Sequence, residues 1–215
     1  MMSTTINEYL VNLTPSRNEL FTKMEQYAEE NHVPIMDLIG IEALLQLFRI
    51  HNPSSILEIG SAIGYSSLRM SDALPNAKIV TLERHPERIR MARTFIKEAG
   101  KENIVTLLEG DALELAPSAE EYGPFDVIFI DAAKGQYVKF FELYSPLLRE
   151  GGIIVSDNVL YKGQVIVPEE TISHRRARAL IRKIKNYNSW LMNHADYHTV
   201  ILPIGDGMAI SKKKA

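Results

Sequence analysis

Ile56-Leu57-Glu58-Ile59-Gly60-Ser61-Ala62-Ile63-Gly64-Tyr65-Ser66 is the stretch from which the rest of the chain is read. It begins as a short apolar run, the pattern of a buried strand, and breaks at Gly60. Gly64 then opens a segment through Ser66, Leu68 and Met70 that reads as a helix. Strand, glycine turn, helix is how an open α/β sheet builds a nucleotide site. A glycine lets the backbone approach a ligand because it has no Cβ, and the free N–H groups of the helix start face that ligand. The same turn also serves as a plain strand-to-helix connection. The glycine spacing is G-x-x-x-G. A dinucleotide pyrophosphate is met by G-x-G-x-x-G, whereas this spacing suits a ligand without a phosphate, such as S-adenosylmethionine.

Outward from this turn, strands and helices alternate. Ile56–Ile59 is a strand and residues 64–73 a helix; Ile79–Glu83 is a second strand. Pro86 starts a helix that runs to Gly100, a C′ residue. Ile104–Leu108 and Phe125–Asp131 are further strands. The next helix carries Tyr137, Phe140, Phe141, Tyr144, Leu147 and Leu148 on one face, and Gly151-Gly152 turns into a strand over Ile153–Asp157. The strands are continuous apolar runs, as expected when helices cover both sheet faces. After a long helix at about 171–193, Gly205-Asp206-Gly207 joins Thr199–Leu202 to Met208–Ile210 as a hairpin, so the sheet ends in an antiparallel strand. Ahead of the first strand, residues 16–31 read as a polar amphipathic helix, and Asp37 caps another with Ile41, Leu44, Leu45 and Phe48 on its core face. The expected fold is therefore α/β and Rossmann-like: a mostly parallel, doubly wound sheet with right-handed crossovers. One domain spans 1–215, with residues 1–53 a helical addition and 54–215 the core.

The 215 residues suffice for a large core at 46% hydrophobic content, and a net charge of −3 gives no global pull toward nucleic acid or membrane. No cysteine is present, which excludes disulfides, zinc–thiolate sites and Cys nucleophiles. No apolar run approaches the ~18 residues of a membrane span, and the N-terminal stretch lacks the basic and apolar regions of a leader. These features lead to the expectation of a soluble cytoplasmic protein without a membrane partner. The six histidines show no ligand spacing.

Acidic residues recur at the carboxyl ends of the strands, where open α/β sheets bind ligands. Glu58 lies in the first strand and Glu83 closes the second. The latter stands about 20 residues past the glycine turn, where an acid accepts from ribose hydroxyls. Asp111 follows the third strand and is placed to face an adenine. Asp131 ends the fourth, and Asp157-Asn158 ends the fifth. Taken singly, each also reads as a helix cap or a solvated loop acid. Asp131, Asp157 and Asn158 offer hard oxygen donors on adjacent strand ends, a set that suits Mg²⁺. Lys134 follows at a helix start, where the dipole and a cation both disfavour an ammonium group, the condition for a general base. As a plain surface lysine it would need no such role.

This set resembles the Mg²⁺-dependent, S-adenosylmethionine-dependent catechol-type (caffeoyl-CoA-like) O-methyltransferases. The matching pieces are Leu57-Glu58-Ile59-Gly60 with Gly64-Tyr65-Ser66, Glu83, Gly110-Asp111-Ala112, Ile130-Asp131-Ala132-Ala133-Lys134 and Ser156-Asp157-Asn158-Val159-Leu160. The resemblance implies a class I methyltransferase with a seven-stranded sheet. It implies that Met36, Glu58, Gly60, Gly64, Ser66, Glu83, Gly110, Asp111, Ala112 and Asp131 hold the cofactor. By the same resemblance Asp131, Asp157 and Asn158 bind Mg²⁺, for which Mn²⁺ or Ca²⁺ can substitute, and Lys134 with Asp131 is catalytic. Met36 has plain packing as its other reading.

Within that family the chain is most similar to the bacterial tRNA 5-hydroxyuridine methyltransferases. The similarity is carried by His32-Val33-Pro34-Ile35-Met36, Asp131-Ala132-Ala133-Lys134-Gly135-Gln136-Tyr137, Asn158-Val159-Leu160-Tyr161-Lys162-Gly163, Trp190-Leu191-Met192-Asn193-His194 and the stretch from Gly205 to Lys214. It implies methylation of the 5-hydroxyl of wobble 5-hydroxyuridine to 5-methoxyuridine, a tRNA anticodon loop as partner, and a homodimer. O5 and the O4 carbonyl of that base are vicinal oxygens, as in a catechol, and suit one Mg²⁺. Ala132-Ala133 replaces the bulky His-Trp pair of the animal catechol enzymes, leaving room for a larger substrate. Arg175, Arg176, Arg178, Arg182, Lys183 and Lys185 bring positive charge to a stretch with no acid before Asp196. Arg175, Arg176, Arg178 and Arg182, with Lys162, are the candidate RNA contacts; a solvated helix face is the alternative. Competing functions are methylation of a small catechol or hydroxycinnamoyl-type substrate, and a non-catalytic RNA- or nucleoside-binding module. A NAD-dependent dehydrogenase is disfavoured by the glycine spacing.

Overall fold

A computed structural model describes residues 4–214. Met1-Met2-Ser3, the start of the stretch read as lacking a leader, and Ala215 lie outside the described residues. Three helices come first: α1 (Thr4–Leu13), α2 (Glu19–Glu30) and α3 (Leu38–His51). The Asn18 side chain accepts from the Phe21 N–H at 2.9 Å and the Asp37 side chain from the Gly40 N–H at 3.0 Å, so α2 and α3 each begin at an N-cap. The core then alternates β1 (Ser55–Ile59), α4 (Tyr65–Ala73), β2 (Lys78–Glu83), α5 (Pro86–Glu98), β3 (Val105–Glu109), α6 (Ala116–Glu120), β4 (Phe125–Ile130), α7 (Tyr137–Tyr144) and β5 (Leu148–Ser156). It closes with α8 (Arg175–Met192), β6 (Tyr197–Leu202) and β7 (Met208–Lys213).

The seven strands form one sheet in the order β3-β2-β1-β4-β5-β7-β6. The pairs from β3 through β5 are parallel, and β7 runs antiparallel to both β5 and β6. Each face carries its own core. Along β4, Val127 and Phe129 pack into the cluster that holds Phe21, Ile41 and Phe48; Ile128 and Ile130 pack into the one that holds Phe141, Tyr187 and Leu191. Both side-chain sets of a strand are thereby buried, which is why the strands read as unbroken apolar runs. No helix among the described residues is long and apolar enough to cross a membrane.

Two local expectations are corrected, and one helix is added. β5 starts at Leu148, and Gly151-Gly152 sits within it at a bulge: Phe125 pairs with Leu148, but Val127 already pairs with Ile153. A Cβ on Gly152 would lie 2.8 Å from the Leu148 side chain and 2.9 Å from the Asp126 carbonyl oxygen, so the bulge packs too closely for any larger residue. The last long helix begins at Arg175, after two short 3₁₀ turns at Tyr161–Ile166 and Glu169–Thr171. The first helix, α1, has no counterpart in the periodicity reading.

The strand order reverses between β1 and β4, so the loops leaving those strands diverge and open a crevice at the carboxyl edge of the sheet.

Candidate active site

The crevice is a cavity of about 1080 Å³. One end is formed by the loops after β1, β2 and β3. Gly60 (φ 101°) has its N–H on the Leu82 carbonyl at 3.0 Å, and a Cβ there would overlap the main-chain oxygen of Asp131. Gly60 is therefore the residue that lets the β1 and β4 loops meet. The Glu83 carboxylate braces the turn: one oxygen accepts from the Ala62 N–H and the other from the Arg84 and His85 N–H groups, each at 2.9 Å. Asp111 accepts from the Leu113 N–H and from the Arg84 guanidinium, each at 2.9 Å; these contacts, the backbone one foremost, hold it below the usual carboxylate range. Met36, Gly60, Ser66, Glu83, Gly110, Asp111 and Ala112 all line the cavity, and Asp131 is shared with the other end.

Glu58 and Gly64 do not line the cavity. Glu58 is fully buried, and accepts from Thr81 Oγ1 at 2.5 Å and from the hydroxyls of Ser66 and Ser67. It ties β1 to β2 and to the first turn of α4. Loss of solvation raises its pKa to about 7 in spite of the three donors. Gly64 is the left-handed residue (φ 81°) that starts α4.

At the other end Asp131, Asp157 and Asn158 converge. The Asn158 amide nitrogen donates to Asp131 Oδ1 at 3.0 Å and to Asp157 Oδ2 at 2.9 Å. Burial raises the pKa of both aspartates; the charge of Asp131 adds to the effect on Asp157, and the Lys134 ammonium works against it at both. A buried carboxylate and a half-buried one that share one amide donor are an arrangement a divalent cation relieves. Turned over, the Asn158 amide presents its oxygen where the nitrogen now stands, completing three hard donors at one point. The residues thus fit Mg²⁺ or a similar ion. Among the described residues no group of three or more His, Cys, Asp or Glu side chains forms a metal cluster; the donors offered here are two carboxylates and one amide.

Sequence reading assigned Asp37 to a helix cap and Asp206 to a hairpin turn. Both also line the cavity, and their charges act on Asp157 and Asp131 respectively. Asn7 and Leu10 of α1, with Val165 and Ile166, complete the mouth and carried no sequence signal. Among the candidate RNA contacts, Lys162 lines the cavity; Arg175 and Arg176 line a second, smaller hollow with Tyr161 and His174; Arg178 and Arg182 are exposed along α8.

A family model described as O-methyltransferase matches residues 12–214. The chain belongs to the O-methyltransferase family. The reaction that goes with membership is transfer of a methyl group from S-adenosylmethionine to an oxygen. A catechol O-methyltransferase of Niastella koreensis is 35% identical to this O-methyltransferase over 179 residues, 80% of this chain and 77% of the relative. A Staphylococcus aureus protein provisionally named caffeoyl-CoA O-methyltransferase superposes with a TM-score of 0.91 at 39% identity, covering 96% of this chain and 98% of its own. An O-methyltransferase from Bacillus cereus, solved with S-adenosylhomocysteine, gives a TM-score of 0.83 at 26% identity, with 98% of each chain covered.

Proposed function

We propose that this O-methyltransferase methylates the 5-hydroxyl of 5-hydroxyuridine at the wobble position of tRNA, giving 5-methoxyuridine. The observation that carries the reading is the uncompensated cationic row of α8 beside the cavity mouth. Arg175, Arg176, Arg178 and Arg182 are all exposed, and none joins an ion pair among the described residues. α8 packs against the Tyr161–Ile166 turn that carries Lys162 into the mouth. Phosphates of an anticodon loop laid along that row would bring an unpaired base to the cavity, and a single-stranded base can be splayed out without opening a duplex. Ala132 and Ala133 line the cavity with methyl groups only and leave width for a base with its ribose.

In this reading the Gly60 turn, Glu83 and Asp111 would hold S-adenosylmethionine, which would supply the methyl group. Asp131, Asp157 and Asn158 would hold Mg²⁺. The cation, when bound, supplies positive charge that favours the deprotonated hydroxyl and aligns it. Lys134, which lines the cavity, would take the hydroxyl proton as the neutral amine and so become the ammonium whose charge acts on both aspartates. The substrate oxygen would then bond to the methyl carbon as the donor's carbon–sulfur bond breaks, releasing S-adenosylhomocysteine.

The names of the relatives favour a second reading, a small catechol-type acceptor with the same pair of vicinal oxygens. Incubation of the protein with methyl-labelled S-adenosylmethionine and either tRNA from a strain lacking it or a panel of catechols separates the two. Label in wobble 5-methoxyuridine, lost in EDTA, is expected. Label in catechols with none in tRNA overturns the proposal.

A further inference from the structure

Asn158 stands at φ 62°, in the left-handed region that a residue with a side chain rarely adopts. From that backbone its amide reaches both aspartates, and a left-handed residue with a side chain persists where its surroundings hold it. The carbonyls of the residues on either side are each taken by a side chain from a different helix. Tyr137 Oη of α7 donates to the Asp157 carbonyl at 2.9 Å, and Asn188 Nδ2 of α8 donates to the Val159 carbonyl at 2.8 Å. The main chain is tied as well, Asp157 N–H to Ile130 O at 3.1 Å and Val159 N–H to Gly207 O at 3.0 Å. The Ser156 and Tyr187 hydroxyls meet at 2.7 Å just upstream.

Neither Tyr137 nor Asn188 lines the cavity. Tyr137 is 1% exposed, and the hydroxyl it keeps inside the core serves the Asp157 carbonyl. Asn188 leaves its own Oδ1 buried without a partner. An apolar residue would fill that space without an orphaned oxygen, so what the amide offers is its donor.

We infer that Tyr137 and Asn188 are positioning residues for the divalent cation: they lock the Asp157–Val159 backbone from two helices so that Asn158 closes the site between Asp131 and Asp157. The inference rests on the reading of those three side chains as metal ligands. It also gives α8, whose outer face carries the arginine row, a supporting role behind the ion site through Asn188.

The test uses Tyr137→Phe, which keeps the ring, and Asn188→Leu, which keeps the volume but cannot donate. Mn²⁺ binding is read by loss of the free-ion EPR signal, S-adenosylmethionine binding by calorimetry without metal, and turnover as a function of Mn²⁺. Each variant is expected to weaken Mn²⁺ on the order of 10-fold or more, to leave cofactor affinity unchanged, and to recover its turnover at saturating Mn²⁺. Unchanged Mn²⁺ affinity in both variants overturns the inference, as does a parallel loss of cofactor affinity, which would mark general loosening. Wild-type protein whose Mn²⁺ binding is absent or indifferent to Asp157→Ala overturns the metal reading itself, and the inference with it.

Discussion

Glu58 shows how one carboxylate ties the cofactor turn to the stability of the fold. It is fully buried, and its pKa rises from the usual 4.5 to about 7 because burial outweighs the donors on Ser66, Ser67 and Thr81. A raised folded value means the native state favours the protonated acid. Stability from this group is therefore greatest below pH 4.5 and is lost as pH climbs toward 7. The loss amounts to about 3 kcal/mol at full ionisation. In urea unfolding at pH 5 and pH 8, Glu58→Gln is expected to show a smaller drop than wild type; equal drops would mean that Glu58 does not carry it. The resemblance gave Glu58 to the cofactor, and the strand pattern could not place it. Leu57 and Ile59 pack into one core, so Glu58 shares the opposite face with Ile56, under α4. In a strand buried on both faces, both parities read alike, and the direction of one acid is set by what packs above it.

At the scale of elements, α8 separates two duties by its faces. Ile181, Ile184, Tyr187 and Leu191 are buried, while Arg175, Arg176, Arg178 and Arg182 are exposed. If the outer row contacts phosphates, Arg175→Glu with Arg178→Glu should flatten the dependence of tRNA affinity on salt by roughly 1–2 in log–log slope. S-adenosylmethionine affinity should not move, because neither residue lines the cavity. Filter binding across a salt series measures the slope, and an unchanged slope removes α8 from the interface. The long helix itself was legible in the sequence; its start was not, since the 3₁₀ turns at Tyr161–Ile166 and Glu169–Thr171 have no period of their own. α1 was missed for the converse reason. Ile6, Tyr9, Val11 and Leu13 are exposed, so the helix has no core stripe to betray it, although its Asn7 and Leu10 line the site.

Across the whole molecule, the strand order reversal sets the glycine turn of β1 beside the acids that end β4 and β5, placing a donor-binding end and an ion-binding end in one cavity. Each end should stabilise the fold when filled, by an amount that grows with the logarithm of ligand concentration over its own dissociation constant. S-adenosylmethionine at 100 times its dissociation constant contributes about 2.7 kcal/mol, a rise in melting temperature of roughly 5–10 °C for a chain of this size. Mg²⁺ should add a separate rise, because Asp131 and Asp157 face each other in a buried site. Asp157→Asn keeps the shape and removes one of the two like charges. Its repulsion gone, the variant should melt above wild type in EDTA at pH 8, keep the cofactor shift, and lose the Mg²⁺ shift. Thermal melts in the four combinations of cofactor and metal measure all three. A variant that melts below wild type in EDTA, or that keeps the full Mg²⁺ shift, would show that the two carboxylates are not a strained pair awaiting an ion.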